Sequence, residues 1–432
     1  MRKRVGVGIA GYGTVGRGAA EILTSHAAAL AERAGIALEV AAVCRRRVLP
    51  ADEVPPGARF FQDWRALVAC PQVGIVVETI GGTGDAGEVV RAALEAGKPV
   101  VTANKNLLAM HGDELFALAA ERRLPLGFEA AVAGGVPVVR AITSAAAGDQ
   151  ILAVQGILNG TANYILGRME SAGLDFSAAL AEAQHAGYAE ADPTLDLNGV
   201  DARDKLAILA RLAFGAGLDT GAIATVGIAG IGAVDVHYAR KLGGVIRLLG
   251  SAERSAAGVH LSVRPWWVPQ QSLLGRVQGV NNAVVLTGRR IGRQMFYGPG
   301  AGGGATGAAV VADLVDVAAA FAAGRLGGST PPGFGSGPRL PLAPPPAAPW
   351  YLRLTVADHP GLLARAAGEL AHQGINIDSV VQEPGMDKQR LSFVITTEPA
   401  AEAAVEAAEA AMNAHGDLLE PVLRLRMAEE QA

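Results

Sequence analysis

Val5 to Ala10, apolar apart from two glycines, run straight into Gly11-Tyr-Gly13-Thr14-Val15-Gly16, and an Ala-rich stretch then keeps helical spacing from about Val15 to Leu30. A buried strand, a tight glycine turn and a helix in that order admit few folds. Gly11 permits the turn, Gly13 lets the backbone approach a pyrophosphate, and Gly16 lets the helix lie close on the sheet, with its N-terminus toward the phosphates. Gly11, Gly13, Thr14, Val15 and Gly16 are therefore candidate cofactor contacts, and a Rossmann-type, doubly wound parallel sheet is expected for residues 1–138. The basic start Met1-Arg-Lys-Arg4 could open a signal peptide, but the apolar run behind it is short and breaks into the glycine turn, which favours a first strand.

Further strands are expected at Leu38–Val43, Gly74–Glu78 and Lys98–Thr102, with a helix over Glu88–Glu95. NAD-selective sites place an acid at the end of the second strand to hold the adenosine ribose. Here the end reads Cys44-Arg45-Arg46-Arg47, and Glu39 lies too early. Guanidinium groups at Arg45 and Arg46 suit a 2′-phosphate, so NADP is expected to be preferred over NAD. Lys105, just after the strand ending at Thr102, falls at the carboxyl edge where open α/β sheets bind ligands.

The chemistry concentrates in GYAEADPTLDLNGVDARDK, residues 187–205. Glu190, Asp192, Asp196 and Asp201 crowd a Pro- and Gly-punctuated loop that opens into an apolar helix, where Asp201 and Lys205 share a face at i and i+4. An isolated pair of this kind is most often an exposed salt bridge. Lys205, however, lies on the stripe of Leu209 and Leu212, and a partly desolvated lysine beside carboxylates can bind an amine-bearing substrate or move a proton. A calcium loop fails, because its first and twelfth positions would be Thr194 and Lys205. Upstream, Phe128 to Val132 reads as a strand breaking into Gly134-Gly135, a turn whose carbonyls could circle a hard cation. Thr161 is the expected N-cap of a helix over Ala162–Ser171, and His185 a helix C-terminal residue. The glycine loop Tyr297–Thr306 feeds a helix expected to return to the first domain.

Residues 326–349 are Gly- and Pro-rich and almost uncharged, which predicts a linker. Beyond it, strands and helices alternate as a ferredoxin-like βαββαβ unit over 350–432. Of 432 residues, half are apolar and 18% charged, with net charge −4, so nucleic acid and anionic membrane are poor partners. Two cysteines, Cys44 and Cys70, suit a reducing compartment and a cytoplasmic enzyme. No stretch is expected to span a bilayer.

In this order, GYGTVG, VTANK, FEAAVAGGVP, NGTANYIL, GYAEADPTLDLNGVDARDK and YGPGAGGGAT resemble homoserine dehydrogenase with a C-terminal ACT regulatory domain, from residue 5 to the end. Thr161-Ala162 stands where the family usually has Thr-Thr. The resemblance implies an α/β chain with four parts: a Rossmann domain (1–138, completed by a helix at 303–324), an α+β catalytic and dimerisation domain (139–302), the 326–349 linker and the ACT domain (350–432). It implies reversible NAD(P)-dependent interconversion of L-homoserine and L-aspartate 4-semialdehyde, in the threonine, methionine and isoleucine branch. By motif, Lys205 is the proton donor to the carbonyl oxygen, Lys105 its partner at the nicotinamide, and Glu190, Asp201 and Asp196 the substrate carboxylates. Gly187 and Gly302 become cofactor contacts; Glu129 with the carbonyls of Val132, Gly134 and Val136 becomes a monovalent cation site, sodium being the expected ion. A homodimer or homotetramer, and an amino-acid effector such as threonine, are also implied. With no kinase-like segment ahead of the first strand in this sequence, the bifunctional aspartokinase form is not expected. Two rivals remain: an acyl-enzyme semialdehyde dehydrogenase, which needs a cysteine nucleophile, and a non-catalytic amino-acid sensor.

Overall fold

The computed structural model describes residues 3–324, 327, 330–335 and 337–429. Leu326, where the expected linker begins, and the outermost residues of the expected first and last domains lie outside this set. The chain forms two compact units, one of residues Met1–Leu158, Arg203–Ile223 and Asn281–Leu340, the other of Asn159–Ala202, Ala224–Val280 and Pro341–Ala432.

In the first unit, β1 (Arg4–Ala10), α1 (Thr14–Ser25), α2 (Ala27–Ala34), β2 (Ala37–Cys44), β3 (Arg59–Phe61), α3 (Trp64–Ala69), β4 (Ile75–Glu78), α4 (Gly84–Glu95), β5 (Val100–Thr102), α5 (Lys105–Glu121) and β6 (Leu126–Gly127) follow one another. The sheet is parallel in the order β3-β2-β1-β4-β5-β6, the doubly wound arrangement expected. The single long helix expected to Leu30 is two helices, broken at His26. Thr24 and Ser25 hydroxyls bond back to the carbonyls of Ala20 and Glu21 (2.8 and 2.7 Å), which competes with the helix ladder. Phe128–Val132 is not a strand either; Glu129–Ala131 is a 3-10 turn. A short helix α6 (Val138–Arg140) and strand β7 (Ile151–Ile157) follow.

The second unit takes up α7 (Gly160–Ala172), α8 (Phe176–His185) and α9 (Thr194–Leu197). Helix α10 (Val200–Phe214) carries Asp201 in its first turn and Lys205 one turn on. Then come β8 (Ala224–Thr225), α11 (Ala233–Lys241) and a long antiparallel pair, β9 (Gly244–Ser255) with β10 (Gly258–Pro269).

The first unit, which also holds Arg203–Ile223 and so most of α10 with Lys205, takes up the chain again with β11 (Asn281–Gly288) and β12 (Gly292–Pro299); β12-β11-β7 form an antiparallel set. Strand β12 was not expected. Helix α12 (Gly303–Ala322) returns to α1, and Val310, Leu314 and Val317 join the same core as Val7 and Ile9. At 20 residues, with an 18-residue stretch of mean hydropathy 1.6, α12 is long and apolar enough to cross a bilayer, contrary to expectation. Its burial in the Rossmann core accounts for that composition. Close approach to α1 requires glycine: a Cβ on Gly18 would stand 2.1 Å from the Gly303 carbonyl oxygen.

The Gly/Pro segment is packed rather than free. Phe334 is buried, with its ring centroid 4.7 Å from Phe116 and 6.3 Å from Phe128, and Gly217 donates to Pro338. In the second unit, Val259 and Ala343 bond across the same segment. The closing module is β13 (Trp350–Val356), α13 (Leu362–His372), β14 (Ile377–Gln382), β15 (Leu391–Thr397), α14 (Glu402–Ala414) and β16 (Leu418–Met427) in the order β16-β13-β15-β14, with its own core. That is the βαββαβ unit expected. Strand β16 also pairs in parallel with β10, Trp266 opposite Arg426 and Trp267 opposite Met427. Beside it, buried Asp235 of α11 accepts from Arg353 (2.8 Å) and Tyr351 (3.1 Å) of β13.

Candidate active site

The glycine turn has the constraints its sequence predicts. Gly11 takes φ +100, and a Cβ there would meet the Thr79 carbonyl at 2.5 Å; one on Gly16 would meet the Gly11 oxygen at 2.4 Å. Gly13 faces open space. The Gly11 and Tyr12 amides both donate to Cys44 O (3.1 and 3.0 Å), tying the turn to the end of β2. Thr14 and Val15 form the first turn of α1, whose N-cap Gly13 supplies no side-chain acceptor, so the amides of that first helical turn, unlike those of Gly11 and Tyr12, remain for an anionic ligand. Gly302 caps α12 at φ +110. At the end of β2, exposed Arg46 forms an ion pair with Asp85 of α4, and Arg45 is half-buried, its amide donating to Phe61 O. Glu39 pairs with Arg4 at the other end of the strand (3.1 Å).

Lys105 is the first residue of α5, capped by Asn104, whose Oδ1 accepts from Leu107 N (3.0 Å). Lys205 is half-buried on α10 over fully buried Leu209, and its Nζ donates to Leu158 O (2.8 Å). The residues following Lys105 and preceding Lys205 meet directly. Asn106 Nδ2 donates to Asp204 Oδ2 at 3.0 Å, and Asp204 is 2% exposed. The helix turns that bear the two lysines are thereby fastened to each other.

The acidic motif is organised by a residue the sequence reading passed over. Asn159 Nδ2 donates to Asp196 Oδ1 (2.7 Å) and Asp201 Oδ2 (2.9 Å), while its Oδ1 accepts from Ala162 N (2.7 Å). Asn159, not Thr161, is therefore the N-cap of α7; the Thr161 hydroxyl donates to Tyr188 O (2.7 Å). The signal was present, since asparagine at the end of a strand is as good an N-cap as serine or aspartate. Asp201 is 9% exposed and Asp196 half-buried. Glu190 is exposed, as is Gly187, which takes φ +74 in the turn after α8. Asp192 is occupied locally: the Thr194 amide and hydroxyl both donate to it, the hydroxyl more strongly, and hold its carboxyl below the usual carboxylate range.

The expected cation loop turns at Ala133 (φ +56) and Gly134 (φ +53), two successive left-handed residues that let carbonyls diverge from strand geometry. Val132 and Val136 are buried, and the Val136 carbonyl accepts from Val138 N (2.8 Å). Glu129 accepts from the Val139 and Arg140 amides (2.9 Å each), and Asp313 accepts from the Glu129 amide (2.8 Å). Burial, with the charge of Asp313 adding to it, pushes Glu129 up to about 7, and burial pushes Asp313 up to about 6. Glu129, Asp313 and Asp316 face the single guanidinium of Arg140, an excess of negative charge that fits a cation. Among the described residues no cluster of three His, Cys, Asp or Glu side chains could hold a metal, so such a site would rest on Glu129 and carbonyls.

A carboxyl raised from 4.5 to about 7 on folding binds its proton more tightly in the native state. It therefore lowers stability as pH rises from about 4.5 through 7, by roughly 3 kcal/mol in total. Denaturation at fixed ionic strength, with a bulky organic cation in place of sodium, should show this fall. Glu129→Gln should flatten it, and an unchanged slope would remove Glu129 as its source.

Sequence profiles described as homoserine dehydrogenase, NAD binding domain, as homoserine dehydrogenase, and as ACT domain match residues 11–129, 137–315 and 350–416. The homoserine dehydrogenase of Pseudomonas aeruginosa is 42% identical over 435 aligned positions, covering 98% of this chain and 99% of its own. The chain belongs to the homoserine dehydrogenase family. The relative from Neisseria gonorrhoeae is 39% identical over 98% of this chain and 99% of its own. A crystal structure of a homoserine dehydrogenase from Thiobacillus denitrificans shares 38% identity and superposes with TM-score 0.92, covering 99% of this chain and 100% of that one. A hyperthermophilic archaeal homoserine dehydrogenase solved with NADPH is 26% identical with TM-score 0.62, covering 73% of this chain and 97% of its own.

As a member of this family the chain is an NAD(P)-dependent oxidoreductase with an ACT domain at its C-terminal end. Its cysteines suit no acyl-enzyme route. Both are free and buried, and burial pushes the Cys44 thiol up to about 11, far from a thiolate nucleophile.

Proposed function

We propose that this homoserine dehydrogenase interconverts L-homoserine and L-aspartate 4-semialdehyde with Lys205 and Lys105 as the groups at the reacting oxygen. In the reducing direction Lys205 gives its proton to the carbonyl oxygen, and Lys105 holds that oxygen at the nicotinamide side. Bound nicotinamide supplies the hydride. Glu190 and Asp201, with Asp196 steadied by the same asparagine, take the substrate ammonium. The observation that carries this reading is the Asn106–Asp204 bond, which fastens the two lysine-bearing turns together. The domain division at 138, 302 and 349, and a cytoplasmic setting, belong to the same reading.

NADP is the preferred carrier in this proposal, through Arg45 and Arg46. The Arg46–Asp85 pair is exposed, and such pairs contribute at most about 1 kcal/mol, so a 2′-phosphate can displace Asp85. Assayed with homoserine and each carrier separately, Arg45→Ala/Arg46→Ala should raise the KM for NADP about tenfold or more and that for NAD less than threefold. Equal changes would exclude a 2′-phosphate site. In the same assay threonine should inhibit through the ACT module, consistent with service in the threonine, methionine and isoleucine branch and with a homodimer or homotetramer built on paired ACT domains. Sodium at Glu129 and the carbonyls of Val132, Gly134 and Val136 would hold the raised carboxyl ionised, so adding it should reduce the fall in stability between about pH 4.5 and 7.

A further inference from the structure

We propose that Glu78 is a positioning residue that sets the start of α5, and with it Lys105, against the cofactor turn; this rests on the reading of Lys105 above. Glu78 ends β4 and is fully buried. It accepts from the amides of Ile80 (2.7 Å) and Gly81 (3.2 Å) and from the Thr102 hydroxyl. Those donors belong to the loop after β4 and to the end of the neighbouring strand β5. Asn104 Nδ2 also donates to Gly82 O (2.7 Å), its amide donates to Thr102 Oγ1 (3.1 Å), and its Oδ1 caps α5. On the other side, Thr79 donates to Gly11 O (2.6 Å). Glu78 and its neighbour Thr79 thus connect the glycine turn, the loop after β4 and, through Thr102, the cap residue immediately ahead of Lys105.

A sheet core has no need of a carboxylate. Burying one is costly unless several donors satisfy it, and an apolar side chain at the end of β4 would pack without that cost. What only the carboxylate supplies is two oxygens that orient three donors at once, from the loop after β4 and from the end of β5. Glutamine keeps the shape but offers one oxygen and adds two hydrogens that face donors.

The test is a double-mutant cycle read as kcat at saturating homoserine and NADP, with Glu78→Gln, Lys105→Ala and their combination. Glu78→Gln should lower kcat about tenfold in the native background and less than twofold where Lys105 is already alanine. A loss that multiplies undiminished in the Lys105→Ala background, or no loss in the native one, overturns the proposal. A Lys105→Ala enzyme with native kcat instead overturns the reading of Lys105, and the proposal with it, by a different signature. Asn104→Ser guards against a Glu78→Gln chain that does not fold. It keeps an N-cap acceptor for α5 but cannot reach the Gly82 carbonyl that ties the cap to the loop after β4. It should show the same background-dependent loss with a melting temperature close to native.

Discussion

Lys205→Ala is expected to lower kcat by about two to four orders of magnitude, the usual reach of a lost general acid, with little change in melting temperature. Lys205 Nζ reaches a backbone carbonyl, Leu158 O, which also accepts from Asn282 Nδ2 (3.1 Å), so the truncation leaves that acceptor partnered. Lys205→Arg should recover little, because a guanidinium keeps its proton at any working pH. Steady-state assays in the reducing direction with aspartate semialdehyde check both. Turnover retained in Lys205→Ala would refute the assignment.

The second large effect concerns substrate capture. Asp201→Asn should raise the KM for homoserine about 30- to 100-fold with a smaller change in kcat, since a charge-assisted bond to an ammonium contributes roughly 2–3 kcal/mol. The substituted amide oxygen can still accept from Asn159 Nδ2, which now holds the acid at 2.9 Å, so the α7 cap and the loop geometry should survive. The measurement is KM at saturating cofactor, paired with a thermal melt. An unaltered KM in a well-folded Asp201→Asn enzyme would take this acid out of substrate binding.

Sequence pattern revealed those parts of the molecule that are local. The strand, glycine turn and helix at the start, and the closing βαββαβ module, follow from apolar periodicity and turn residues within short windows. Strand β12 escaped because its residues are half or fully exposed and bounded by glycine and proline. The Gly/Pro segment reads as a spacer by composition, yet one aromatic, Phe334, fixes it to Phe116 and Phe128, a contact more than 200 residues away in sequence. The site divides in the same way. Lys105, Lys205 and the acids stood out by residue type and motif. Asn159 and Glu78 did not, because their work lies in bonds to groups that only the folded chain brings near, such as Asp201 at a separation of 42 and Thr102 at 24.

The parallel pairing of β16 with β10 carries an implication for the whole chain. The C-terminal module hems the sheet that precedes it. A version ending ahead of Trp350 would leave the end of β10 at Trp266 and Trp267 bare of its neighbour, while β8 still pairs with Ser262 and Val263. Unprotected borders of that kind recruit other chains, so losing the module would cost solubility before any question of feedback arose.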